Sequence, residues 1–144
     1  MKFLLLLLTV IGIPALAHAD WTTNHNQALK KARDKDKAVL MYFTGSDFCG
    51  FCKKLDREAL DRGVFEDYAK KNLVLLKLDF PARKRQHPME RRQNEMLQRQ
   101  YRVKGYPTLI LLDSRGRYIS QVEYRGGGAR ALIRQIDRTI DRRR

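Results

Sequence analysis

Cysteine and histidine are scarce in this chain: 144 residues hold two cysteines, Cys49 and Cys52, and three histidines. A structural zinc site usually needs four such ligands. Apart from one histidine near the N-terminus, only His25 and His87 are left to join the cysteines, and neither stands at a ligand-like spacing. A c-type haem needs C-x-x-C-H, and Lys53 stands where that histidine would be. There is no G-x-G-x-x-G or P-loop, so no nucleotide site supplies electrons or phosphate. Internal repeats and long low-complexity linkers are absent too, and the length suits one domain.

Nor does any apolar run reach the roughly 20 residues of a membrane-spanning helix. The first residues, MKFLLLLLTVIGIPALAHAD, place Lys2 before an apolar stretch from Phe3 to Ala17, interrupted by Gly12 and Pro14, and close on Ala17-His18-Ala19. This pattern predicts a secretory signal peptide over residues 1–19 and a mature domain over 20–144 that works in the periplasm or outside the cell. No cysteine lies in the leader to carry a lipid anchor.

Acidic charge is the next shortage. The chain carries 30 Lys and Arg against 16 Asp and Glu, and losing Lys2 with the leader takes the net charge from +14 to +13. Such a surface favours an acidic protein or an anionic envelope surface as a partner. Nucleic acid is not expected, because the bases are scattered among acids without interleaved aromatics for base stacking.

What is present is an alternation of helical and strand-like stretches. NHNQALKKARDKDK begins with cap-type residues and lines up Ala28, Leu29 and Ala32, predicting a helix from Asn24 or Asn26. AVLMYFT, residues 38–44, and NLVLLKLDF, residues 72–80, are continuous apolar runs of the kind buried on both faces of a parallel sheet. Between them, CGFCKKLDREAL sets Phe51, Cys52, Leu55, Ala59 and Leu60 at helical spacing. Met89, Met96, Leu97 and Tyr101 make a thinner stripe for a helix over about 89–101. Residues 108–113 and 118–124 flank SRGR and predict an antiparallel hairpin, and Leu132, Ile133, Ile136 and Ile140 mark a closing helix after GGG. The expected fold class is α/β, ordered helix, strand, helix, strand, helix, strand, strand, helix.

In that frame the cysteines sit where a strand hands over to a helix. A disulfide closing so short a loop removes little unfolded-state entropy, which makes it a poor structural staple. A cysteine at the first turn of a helix, by contrast, meets the positive end of the dipole and unpaired N–H groups, which favour its thiolate. Cys49 is therefore the candidate nucleophile. Cys52, on the same turn, is the candidate resolving thiol, closing the mixed disulfide that Cys49 forms with a partner. Gly50 leaves the approach open and Phe51 offers the partner an apolar contact.

At these residues the chain resembles the thioredoxin-like thiol-disulfide oxidoreductases, with a central mixed β-sheet flanked by helices. AVLMYFTGSDFCGFCKKLDREAL is similar to the family's central strand, active-site loop and helix, LVLLKLDF to its next strand, VKGYPTLILLD to its cis-proline segment, and YRGGG to the turn before its last helix. The resemblance implies that Pro107 is the cis-proline and that Tyr106 and Pro107 hold the partner's extended segment beside the nucleophile. It also implies a pKa-tuning lysine, Lys77, near the buried cysteine. No cofactor is implied beyond the redox-active Cys49–Cys52 disulfide, and no metal.

The chain also departs from the thioredoxin pattern. Tyr42 stands where thioredoxins carry a buried acid, leaving Asp47 as a substitute proton carrier or merely a turn residue. Phe48 replaces their tryptophan, Phe51 their proline, and TGSDF carries one residue more than the usual loop. These departures and the leader look more like secreted bacterial thioredoxin-like proteins and the soluble domain of membrane thiol-disulfide interchange reductases. Partners so implied are cysteine-containing proteins and a membrane redox partner. With no base between the cysteines, the expected direction leans to reduction or isomerisation. Two other readings stay open: a cationic binding module using Arg83, Lys84, Arg85, Arg91 and Arg92 without turnover, and a Cu(I)-handling thiol pair.

Overall fold

A computed structural model describes residues 19–143. The predicted leader, apart from Ala19, lies outside the described residues. Five strands form one mixed sheet in the order β1-β3-β2-β4-β5. They are β1 (Trp21–Thr22), β2 (Ala38–Thr44), β3 (Leu73–Asp79), β4 (Thr108–Leu112) and β5 (Tyr118–Val122). β3 runs parallel to β1 and β2, whereas β4 runs antiparallel to β2 and β5. No helix among the described residues is long and apolar enough to cross a membrane.

The apolar runs become the two central strands because both sheet faces are covered. Along β2, Leu40 and Tyr42 enter one layer with Leu55, Phe65, Leu132 and Ile136. Val39, Met41 and Phe43 enter the other with Ala28, Ala32, Leu97 and Ile110. The first layer is roofed by α2 (Gly50–Leu55), α3 (Gly63–Asn72) and α5 (Gly128–Asp141), and the second by α1 (His25–Lys35) and α4 (Pro88–Gln100).

Helix ends follow the cap chemistry. Asn24 caps α1 by accepting from the Gln27 N–H at 3.0 Å, and Pro88 opens α4 behind a His87 cap. Gly126, Gly127 and Gly128 have φ of 85°, 85° and 75°, a run of left-handed conformations that glycine adopts without strain and that turns the chain sharply into α5.

Two elements were absent from the expected order. β1 is two residues long, too short for any period, and it extends the sheet by pairing Trp21 with Leu75 and Thr22 with Leu76. α3 begins at Gly63 without a side-chain cap, so nothing local announces it. The helix read through Leu60 is also not uniform. After Leu55 it widens into a π turn over Asp56–Leu60, a feature frequent at functional sites.

Candidate active site

Cys49 is the N-cap of α2, and its Sγ accepts the Cys52 N–H at 3.2 Å. The two cysteines form a disulfide, with their Cα atoms 5.2 Å apart. Cys49 keeps 8% exposure, whereas Cys52 is fully buried. Gly50 would carry a Cβ with nothing within 4 Å, and Phe51 is 76% exposed. The approach over Gly50 is thus open, with the Phe51 ring exposed beside it.

The Tyr106–Pro107 peptide bond is cis. Pro107, Phe51, Lys54, Leu55, Tyr124 and Arg125 line part of a groove of about 460 Å³. Tyr106 is held from two directions. Its ring stacks on Phe80 at 5.0 Å and meets the edge of Phe48 at 6.3 Å, while its hydroxyl accepts from the Gln98 side-chain amide at 2.9 Å.

Lys77 pairs with Tyr42 in the β2–β3 register and is half-buried on the disulfide face. Its ammonium lies 5.9 Å from the Trp21 ring centroid and 6.0 Å from that of Tyr42. Tyr42 donates its hydroxyl to the Cys52 carbonyl at 3.3 Å. Burial pushes its phenol well above the ordinary range, so it remains protonated.

Reading the residues in order missed Asp56. It stands one helical turn after Cys52, on the same face of the helix. Burial raises its carboxyl above the usual carboxylate value, while the Tyr42 hydroxyl and the Lys77 ammonium pull it back down. A half-buried carboxyl, absent from position 42, is thus present on the helix near Tyr42 and Lys77. The available signal was the i, i+4 spacing from Cys52.

Asp47 as a substitute proton carrier needs correction. Its carboxylate accepts the backbone N–H groups of Ala82, Arg83 and Lys84 at 2.8–3.0 Å. These bonds hold its pKa down to about 2, which keeps it ionised and committed to a neighbouring loop. Beside it, Ser46 donates both its N–H and its hydroxyl to the Asp79 carboxylate, while the Asp79 carbonyl accepts from Gln86 and the buried Asn94. The long active-site loop is therefore bolted to the segment after β3. His25 and His87 line a different cavity, of about 430 Å³, with Met89 and Met96. Among the described residues no group of three His, Cys, Asp or Glu is placed to hold a metal.

A strand delivering a C-x-x-C pair to a helix N-terminus, beside an X-Pro loop on a mixed sheet, defines a thiol-disulfide oxidoreductase. Residues 25–130 match the thioredoxin-like domain family. The chain is 30% identical over 122 residues to the disulfide bond reductase DsbH of Chlamydia pneumoniae, covering 85% of this chain and 73% of that protein. It is 26% identical over 130 residues to the thioredoxin-related protein DsbJ of the same organism, spanning 85% of this chain but 37% of that longer one. A solved structure of a DsbH oxidoreductase superposes with a TM-score of 0.82 at 28% identity, covering 97% of this chain and 95% of that one. The chain belongs to the thioredoxin-like family.

Proposed function

We propose that this protein is an extracytoplasmic reductase or isomerase of protein disulfides, with Cys49 as nucleophile and Cys52 as resolving thiol. The observation that carries the reading is the placement of the pair: Cys49 caps the α2 N-terminus and keeps 8% exposure, and Cys52, disulfide-bonded to it, is fully buried. In the reduced protein the Cys49 thiolate attacks one sulfur of a partner disulfide. A new intermolecular S–S bond forms and the second partner sulfur leaves as a thiolate, which takes up a proton. Cys52 then loses its proton and its thiolate attacks the Cys49 sulfur, which breaks the intermolecular bond and releases the first partner sulfur as a thiolate that takes up a proton, so two electrons have passed to the partner and the internal disulfide is restored.

The surrounding residues have distinct parts in this scheme. Phe51 and Gly50 form the contact rim, and Tyr106 and Pro107 hold the partner's extended segment. Asp56 takes the proton from Cys52, in an environment adjusted by Tyr42 and Lys77. A membrane redox partner returns electrons to the pair, because the chain has no further cysteine and no nucleotide motif. Kinship with a disulfide bond reductase supports the reducing direction.

The test is the equilibrium potential of the mature protein in graded dithiol buffers, read by alkylation of free thiols. A two-electron transition near about −270 mV, as in thioredoxin, supports a reductase, and one near about −120 mV makes the protein a disulfide donor instead. If no disulfide forms under mild oxidant, the exchange scheme fails.

A further inference from the structure

The bond from Asp47 to the next loop has a consequence for substrate choice. Arg83, Lys84 and Arg85 are consecutive and exposed, and they take part in no ion pair among the described residues. A tripeptide of this kind would ordinarily be a solvated surface run. Here three successive backbone N–H groups, from Ala82 to Lys84, are fastened to a carboxylate two residues before the nucleophile. The same loop is anchored by the Phe80 ring against Tyr106 and by the Gln86 side chain on the Asp79 carbonyl. The three cations are thus carried beside the nucleophile's loop.

Charge elsewhere on the rim has the same sign. Lys53 and Lys54 follow Cys52 directly and are exposed, and Arg125 lines the groove. The acids nearby are engaged: Asp47 with three N–H groups, Glu58 with the Tyr124 hydroxyl at 2.9 Å, and Glu123 with Arg125 at 2.9 Å. Between the cations two phenylalanines stand out, Phe48 at 49% and Phe51 at 76% exposure. Lys54 also reaches Glu58 at 3.9 Å, so the cations here without an ion pair among the described residues are Lys53, Arg83, Lys84 and Arg85, and an apolar spot beside them suits a segment with acidic side chains around a cysteine.

We propose that the Arg83–Arg85 loop, held in place by Asp47, is a docking element that selects protein disulfides flanked by acidic residues. This inference rests on the exchange reading above and adds to it the substrate class. The attraction acts over about a Debye length, roughly 10 Å at 0.1 M salt, and such fields raise association rates by about 10- to 1,000-fold.

The test uses the reduced mature protein and three synthetic peptides with one internal disulfide each, flanked by Asp and Glu, by Ser, or by Lys. Second-order rates are normalised to that for hydroxyethyl disulfide, which carries no charge. The acidic peptide is expected to react about tenfold faster than the lysine peptide at 20 mM salt, with the ratio falling towards one at 0.5 M. Changing Arg83, Lys84 and Arg85 together to Gln should remove most of the ratio. Asp47→Ala distinguishes a placed loop from bulk charge. It makes the protein more basic, so a rising ratio would overturn the proposal and a falling one supports it.

Equal rates for acidic and basic peptides, or a preference untouched by the triple substitution, would also overturn it. So would a triple variant that loses only its sedimentation with vesicles of anionic lipid while its peptide ratio stays intact, which would assign the loop to an envelope surface. If hydroxyethyl disulfide itself is not reduced by Cys49, it is the exchange reading that has failed, and the two failures are told apart.

Discussion

The two faces of the sheet are built from the same strands and do opposite things. Below β2, Val39, Met41 and Phe43 meet α1 and α4 in a layer of hydrocarbon and aromatic rings, in which Asn94, fully buried, binds the Asp79 carbonyl. Above it, Leu40 and Tyr42 share their layer with both cysteines, and Lys77 and Asp56 are half-buried beside them. One face contributes burial and, through Asn94, a polar tie to the end of β3. The other gives up part of that burial to place ionisable groups under a disulfide. Because side chains alternate along a strand, adjacent residues of β2 can be exchanged to probe each face separately.

The largest effect is expected at the rim. Cys49→Ser should abolish reduction of a disulfide peptide, whereas Cys52→Ser should accumulate a mixed disulfide visible by intact mass. Accumulation in the first variant and not the second would exchange the roles of the two thiols. Met41→Ala, on the hydrocarbon face, should lower unfolding free energy by about 2–5 kcal/mol in a denaturant titration and leave the potential of the pair unchanged. A shifted potential would show that the two faces are not independent.

Asp56→Asn should slow release of the partner by about 100-fold near neutral pH, the low end for a positioned acid–base group, measured by stopped-flow decay of the mixed disulfide. The same change should alter the pH dependence of stability. Because the folded-state value of Asp56 is raised, its contribution is fully present below the unfolded value near 3.9 and is lost as pH rises through the folded one. The wild type should therefore lose stability relative to Asp56→Asn over that interval, and parallel curves would refute the burial argument.

Smallest is Tyr42→Phe, which removes one hydrogen bond to the Cys52 carbonyl and should cost about 1 kcal/mol. Unlike Met41→Ala, it should move the potential, and an unmoved value would take Tyr42 out of the site.

Much of this arrangement was legible in order along the chain. The runs at 38–44 and 72–80 read as buried strands because two-sided burial leaves no polar alternation, and Cys49 fell at a strand-to-helix boundary because the period changes there. α3 escaped because its start has no side-chain cap, and β1 because two residues show no pattern. The contacts that define the site's chemistry were hidden for a different reason. Asp47 meets Arg83 36 residues away, and Ser46 meets Asp79 33 residues away. A single carboxylate letter does not say which N–H group it will meet. Asp56 lay closer, at i+4 from Cys52, but Tyr42 and Lys77, which act on its carboxyl, come from two different strands.

Asp79 bears on how this molecule opens as well as how it is built. Its carboxylate holds Ser46 on the loop before Cys49, and its carbonyl holds Gln86 and Asn94 at the entrance to and within α4. Local opening frees amides in cooperative units. A loop fastened in this way cannot release its amides singly, so the Ser46 N–H and those of Ala82, Arg83 and Lys84 should exchange with solvent deuterium in one step. The loop that carries Cys49 and the loop that carries the cations then have a common lifetime.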